Sequence, residues 1–254
     1  MMLRFASLGS GSSGNATIVS DGTTHILVDC GFSVRETTYR LSRLGLALTD
    51  LTALLVTHEH SDHIRGVPLL ARRCAIPVYM TRGTYESRAL GNIPQLTLIS
   101  SDQPFAIGEI TVQPVPVPHD AREPVQYVFR RAGRSLGILT DLGSIDHCVL
   151  AAYGGCDALL LEANHDRHML AVGPYPMSLK RRVAGPWGHL SNEQAVAFLE
   201  QIDTDRLQHL VVGHISRKNN SIALAAAALA TLSKPLCAPA FACQDEGFGW
   251  LQVV

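Results

Sequence analysis

A chain of 254 residues with 46% hydrophobic content carries enough apolar material to bury a large core as one domain, which excludes a disordered or fibrous protein. Its formal net charge of −1 and isoelectric point near 6.8 argue against a globally basic nucleic-acid binder, and it has no apolar run of the ~18 residues that a membrane helix needs. The six cysteines, at positions 30, 74, 148, 156, 237 and 243, form no Cys-x-x-Cys pair, so without a secretory signal they read as reduced thiols of a cytoplasmic protein.

In chain order, residues 3–8, 16–20 and 25–29 read as a strand meander. Between its first two strands lies Ser7-Leu8-Gly9-Ser10-Gly11-Ser12-Ser13-Gly14-Asn15, whose glycines let the backbone pass close to a substrate or to another loop. Ser12 and Asn15 are its candidate substrate contacts; the plainer reading is a flexible hairpin turn. No Gly-Lys-Ser/Thr follows, so it is not a nucleotide-binding P-loop. Residues 33–44 suit a helix.

Residues 51–56 are an apolar run that ends abruptly in His58-Glu59-His60-Ser61-Asp62-His63. Such a run reads as a buried strand delivering a loop to its carboxyl edge. Three imidazoles and a carboxylate in so short a stretch have no packing role and would repel if protonated, so they point to metal binding. The mixed donors suit Zn, Mn, Fe or Co better than Mg or Ca. A helix over 63–74 and a strand over 78–81 follow.

The second half repeats the theme, with strands at 110–117, 126–130, 135–140, 158–162 and 210–212 and helices at 166–183, 192–202 and 221–232. Ser191, followed by Asn192-Glu193-Gln194, reads as a helix N-cap. The alanine-rich run at 223–230 reflects helix propensity. Three of the strands deliver polar residues in order: His119, Asp141 and His214. Lys180-Arg181-Arg182 forms either a basic rim or a cationic last turn of a helix. Arg217, Lys218, Asn219 and Asn220 either meet a substrate phosphate or cap the helix that follows. His25, His147, His168 and His209 carry no assignment.

The His-x-His-x-Asp-His cluster resembles the signature of the metallo-β-lactamase superfamily. The resemblance implies an α/β fold, an αβ/βα sandwich of two mixed β-sheets flanked by helices, filling residues 1–254 without an inserted cap domain. It implies two divalent transition-metal ions, Zn or Mn: His58, His60 and His119 on one, Asp62, His63 and His214 on the other, and Asp141 bridging both. Glu162 and His189 sit in contexts similar to a pair beside the metals in tRNA-processing members, so Asp62, Glu162 and His189 are the implied catalytic groups, with His189 as general acid. A capping role for Glu162 and a helix start at His189 are the structural alternative.

A narrower similarity, over essentially the whole chain, is to the YycJ/WalJ branch of metal-dependent nucleases. It rests on the Gly/Ser-rich opening, His119 to Tyr127, Leu161 to Asp166, Gly188 to Glu193 and His214 to Asn220. It implies an intracellular DNA exonuclease. A small-molecule cyclic phosphodiesterase, as among the related PhnP-like enzymes, is the alternative, favoured by the neutral isoelectric point. A thioesterase ranks third.

Overall fold

The computed structural model describes residues 2–254. The first half runs β1 (Arg4–Gly9), β2 (Ala16–Ser20), β3 (His25–Val28), α1 (Val34–Ser42), β4 (Ala53–Leu55), α2 (Ser61–Ile64), α3 (Val67–Cys74), β5 (Val78–Thr81), α4 (Arg82–Glu86) and β6 (Leu96–Ile99). The second runs β7 (Phe105–Ile107), β8 (Ile110–Pro116), β9 (Val125–Arg131), β10 (Arg134–Leu139), α5 (His147–Tyr153), β11 (Ala158–Glu162), α6 (Arg167–Val172), α7 (Met177–Val183), α8 (Asn192–Gln201), β12 (His209–Gly213), α9 (Ile222–Leu229), β13 (Ala240–Phe241) and β14 (Phe248–Gln252). They build two seven-stranded mixed sheets, ordered β14-β1-β2-β3-β4-β5-β6 and β13-β12-β11-β10-β9-β8-β7.

Strand alternation explains the layering, because successive side chains point to opposite faces of a sheet. Phe5, Val19, Ile26, Val28 and Leu55 of the first sheet meet Ile110, Val112, Tyr127, Phe129, Ile138 and Leu160 of the second in a central core. The alternate residues, Leu8, Ile18, Leu27 and Leu54, face outward against α1 and α3. Val128, Leu139, Leu159, Leu161 and Val212 do the same against α5, α8 and α9. Strands covered on both faces are apolar throughout, which is why the central ones read clearly from sequence. The Tyr127 hydroxyl donates to the Val56 carbonyl at 2.9 Å, tying the second sheet to the first just before the His-rich loop.

Two expected helices are broken. Residues 166–183 form α6 and α7 around Gly173-Pro174-Tyr175-Pro176, because each proline lacks an N–H and keeps the residue before it out of the helical region. Residues 63–74 divide into α2 and α3 at Gly66, with Pro68 in the first turn of α3. The Ser191 cap is present, its hydroxyl accepting from the Gln194 N–H. β6, β7, β13, β14, α4 and α5 were not expected. All six cysteines are free, and no helix of the described residues is long and apolar enough to cross a membrane.

Candidate metal centre

In the first sheet β3, β4, β5 and β6 run parallel. In the second β10, β11 and β12 run parallel, and β8 shares their direction through antiparallel β9. The carboxyl ends of β4, β8, β10, β11 and β12 therefore open at one edge of the sandwich. The loops leaving them bring His58, His60, Asp62, His63, His119, Asp141, Glu162, His189 and His214 into overlapping clusters of potential metal donors. A cavity of about 330 Å³ lies over them, lined in part by Ser12, His60, Asp62, Asp120, Asp141, Arg182, His189 and His214.

Tight turns aim these side chains. Asp29, Asp141 and His214 have φ of 62°, 56° and 52°, the left-handed region that non-glycine residues avoid at a cost of about 1–3 kcal/mol. Each stands directly after the last residue of a strand or close to it, where the chain must swing back for its side chain to face the sheet edge.

Hydrogen bonds at the rear of each ring decide which nitrogen is bare. His63 Nδ1 is 2.8 Å from Asp29 Oδ2 and His214 Nδ1 is 3.0 Å from Glu162 Oε2, so both donate from Nδ1. His119 Nδ1 donates to the Gly188 carbonyl at 2.9 Å. The Thr57 hydroxyl donates to Asp29 Oδ2 and therefore accepts from His58 Nδ1, both at 2.9 Å. His60 is turned the other way, with Nε2 3.3 Å from the Asp120 carbonyl and Nδ1 3.2 Å from His119 Nε2. Five imidazoles thus turn Nε2, or in His60 Nδ1, to one space, where Asn15 Nδ2 stands 3.0 Å from His63 Nε2.

Several of those inward atoms have nothing to bond. His58 Nε2, His214 Nε2 and Asp141 Oδ2 are buried without a hydrogen-bond partner. Asp141 lies between the two groups of donors, with Oδ2 3.4 Å from His63 Nε2 and Oδ1 3.5 Å from His214 Nε2 and 4.0 Å from His119 Nε2. Buried donors and acceptors are normally paired, so this convergence fits divalent metal, whose ligands are held from behind in just this manner.

The electrostatics follow from burial and charge. Burial holds His58 well below the usual imidazole range, reinforced by the neighbouring His63 and His119. Burial likewise takes His119 down to about 4. It also opposes charge on His214 and His63, yet carboxylates win at both: Asp141, Asp62 and Glu162 lift His214 to about 10, and Asp141, Asp29 and Asp62 raise His63. Burial works against ionised Glu162 and Asp141, but adjacent histidines lower both carboxyls.

Glu162 is fully buried and serves four groups. Oε2 accepts from the Asp141 N–H at 2.9 Å and from His189 Nδ1 at 3.1 Å, besides His214; Oε1 accepts from the Leu190 N–H at 2.7 Å. It caps no helix. His189 keeps Nε2 available to the cavity that it lines.

The candidate substrate contacts divide. Ser12 is exposed on the cavity wall. Asn15 is buried, bonding Gly11 in both directions and reaching Asp62 Oδ2 at 3.3 Å, so it braces the His-rich loop. Asn219 and Asn220 do not reach the cavity. Both are buried, Asn220 exchanging hydrogen bonds with Asn192 and donating to the Ala163 carbonyl, Asn219 packing on Ser216. Asparagine amides beside a last ligand serve a turn as readily as a phosphate, and here the turn takes Asn220 fully and Asn219 through Nδ2 alone, its Oδ1 being buried without a partner.

The basic rim is thinner than the sequence suggests. Arg217 pairs with Asp245 and Arg182 with Asp120, while Lys218 lies over the Tyr175 ring. Arg88 lines the cavity instead. Asp29, Thr57 and Arg88 were all missed. Asp29 closes an apolar strand just as the expected ligands do, and that signal could have found it; Arg88 has none.

Fold and donors together define a class, the metal-dependent hydrolases built on an αβ/βα sandwich. Residues 24–215 match the family described as Beta-lactamase superfamily domain, and the chain belongs to that family. Among its relatives, Exodeoxyribonuclease YycJ of Bacillus anthracis is 38% identical over 229 residues, 89% of this chain and 87% of that one. Exodeoxyribonuclease WalJ of Streptococcus pneumoniae is 34% identical over 223 residues, 85% and 83% of the two chains. The metallo-β-lactamase fold protein YhfI from Bacillus subtilis superposes with a TM-score of 0.74 over 98% of this chain and 99% of its own, at 14% identity. That likeness speaks for the fold alone.

Proposed function

We propose that the chain is a cytoplasmic metal-dependent exodeoxyribonuclease, working as a single catalytic domain without an inserted cap. Two transition-metal ions, Zn or Mn, would be held by His58, His60 and His119 on one side and Asp62, His63 and His214 on the other, with Asp141 available to both groups of donors. The observation that carries the reading is the set of buried, unpartnered atoms on His58, His214 and Asp141 within overlapping clusters of metal donors, in a chain with the exodeoxyribonucleases YycJ and WalJ among its relatives.

When bound, such ions lower the pKa of water and polarise a phosphoryl group. The protein's own part is positional. Asp29, Thr57, Gly188 and Glu162 fix the ring tautomers, and Asp141 supplies the negative charge that two neighbouring dications require. His189, oriented by Glu162 through Nδ1, gives its Nε2 proton to the leaving oxygen, as a general acid does. Ser12 and Arg88 stand on the wall where a phosphate enters.

The test is to load the protein with Mn or Zn and offer end-labelled single- and double-stranded DNA, RNA and a panel of cyclic phosphodiesters. Release of mononucleotides from DNA, with close to two metals per chain by elemental analysis, is expected. Asp141→Ala should abolish cleavage and lower metal retention. Rapid turnover of a cyclic phosphodiester with no cleavage of DNA would overturn the nuclease reading, and saturation at one ion would overturn the dinuclear site.

A further inference from the structure

α7 has two faces. Leu179, Arg182 and Val183 line the metal cavity, whereas Lys180 and Arg181 line a separate groove of about 450 Å³ between α6, α7 and the start of α8. Its floor is apolar, with Leu170 and Ala184, and its rim carries Lys180 and Arg181, with Arg167 beside them paired to Glu193 at 3.4 Å. No carboxylate lines it. His165 closes the inner end of the groove, 2% exposed, with Nδ1 buried and without a hydrogen-bond partner.

We propose that this groove is a nucleotide subsite, holding a base of the DNA strand next to the one whose phosphate occupies the metal cavity. The proposal rests on the nuclease reading and deepens it. An apolar slot rimmed by cations matches the two parts of a nucleotide: a flat ring that leaves water and a phosphate that seeks positive charge. Continuity comes from α7 itself. Arg182 stands on its cavity side and Lys180 and Arg181 on its groove side, so a strand crossing the helix passes from one set of charges to the other over one helix diameter, about 10 Å.

The groove is used only by a substrate longer than one phosphodiester. Wild-type protein should therefore cleave a hexanucleotide with a higher kcat/KM than it shows for bis(p-nitrophenyl) phosphate, which needs the metal cavity alone. Ala184→Glu places bulk and negative charge in the groove, and the ratio of the two kcat/KM values should fall about tenfold, with most of the change in KM, in line with the loss of one base contact. Metal content and unfolding midpoint, measured alongside, report the integrity of the fold. Should that variant fail to fold, Ala171→Glu introduces the same group from α6. A ratio unchanged in a folded, metal-loaded variant overturns the subsite while leaving the nuclease reading intact. Wild-type protein that cleaves the aryl diester but no DNA overturns both.

Discussion

Every imidazole of the cavity is held at its far nitrogen by an acceptor that is itself anchored, so the donors are oriented before any ion arrives. Asp29 and Glu162 are the two hubs, one behind His58 and His63, the other behind His189 and His214. Their charges have a consequence for metal uptake. In the metal-free chain the surrounding carboxylates lift His214 to about 10 and raise His63 as well, so protons compete with an incoming ion at this pair of rings. Affinity should therefore rise with pH from neutrality toward about 10, where His214 loses its proton, and fall as pH drops. Calorimetric titration at pH 8 in two buffers of different ionisation heat should reveal net proton release on loading; none released would contradict the hold that the carboxylates give His214 on its proton. His189 is separable from binding. His189→Ala should keep both metals yet lose roughly 10²–10⁴-fold in rate on DNA, with a much smaller loss on bis(p-nitrophenyl) phosphate, whose phenol leaves without a proton. Equal losses on both substrates would remove the general-acid role. His58 to His63 stood out in the sequence because its spacing is dense, and His119, Asp141 and His214 because each follows an apolar strand. The partners of Asn15, Asn219 and Asn220 were not legible, because an asparagine's partners are set by backbone turns that spacing does not reveal.

At the scale of elements, the strands that could be read were β1 to β5 and β8 to β12, most of them buried on both faces. β6, β7, β13 and β14 are short or half-exposed edge strands, whose mixed patterns resemble loops. Pairing supplies what their sequences lack: β14 exists because β1 offers it an open edge. The broken helices were legible in principle, since Pro68, Pro174 and Pro176 are in plain view, but periodicity ran across them. A loop contact that no pattern announces matters more to the site. Gly31 packs against the His-rich loop so closely that a Cβ would stand 1.7 Å from the Asp62 carbonyl oxygen and 2.8 Å from the Asn15 nitrogen. Those two atoms are themselves hydrogen-bonded at 2.7 Å. Gly31→Ala should therefore push the Asp62–His63 turn outward, costing about 1–3 kcal/mol of stability by overpacking and lowering metal retention. Chemical denaturation with elemental analysis would check both, and a variant with normal stability and full metal would show that the turn yields without loss.

For the molecule as a whole, the sandwich gathers the metal donors at one edge while the net charge stays at −1. Attraction for a polyanion must then come from local cations rather than from an overall field. Much of that local charge is already engaged. Arg182 pairs with Asp120 and Arg217 with Asp245, which leaves Lys180 and Arg181 on α7 and Arg88 across the cavity as the main candidates for phosphate contact. Each phosphate neutralised releases counterions, so apparent affinity for DNA should fall steeply with salt, and each lost contact should reduce the log–log slope by about 1. Replacing Lys180, Arg181 and Arg182 together with alanine should lower that slope by about 2 rather than 3, because Arg182 is held by Asp120 before DNA arrives. Cleavage of an aryl phosphodiester, which presents one phosphate, should respond to salt only weakly in either protein. Measuring DNA affinity between 50 and 200 mM salt, the range over which counterion release is steep, decides the matter. A slope identical to wild type would mean that the strand does not cross α7 and approaches the metals from the side of Arg88.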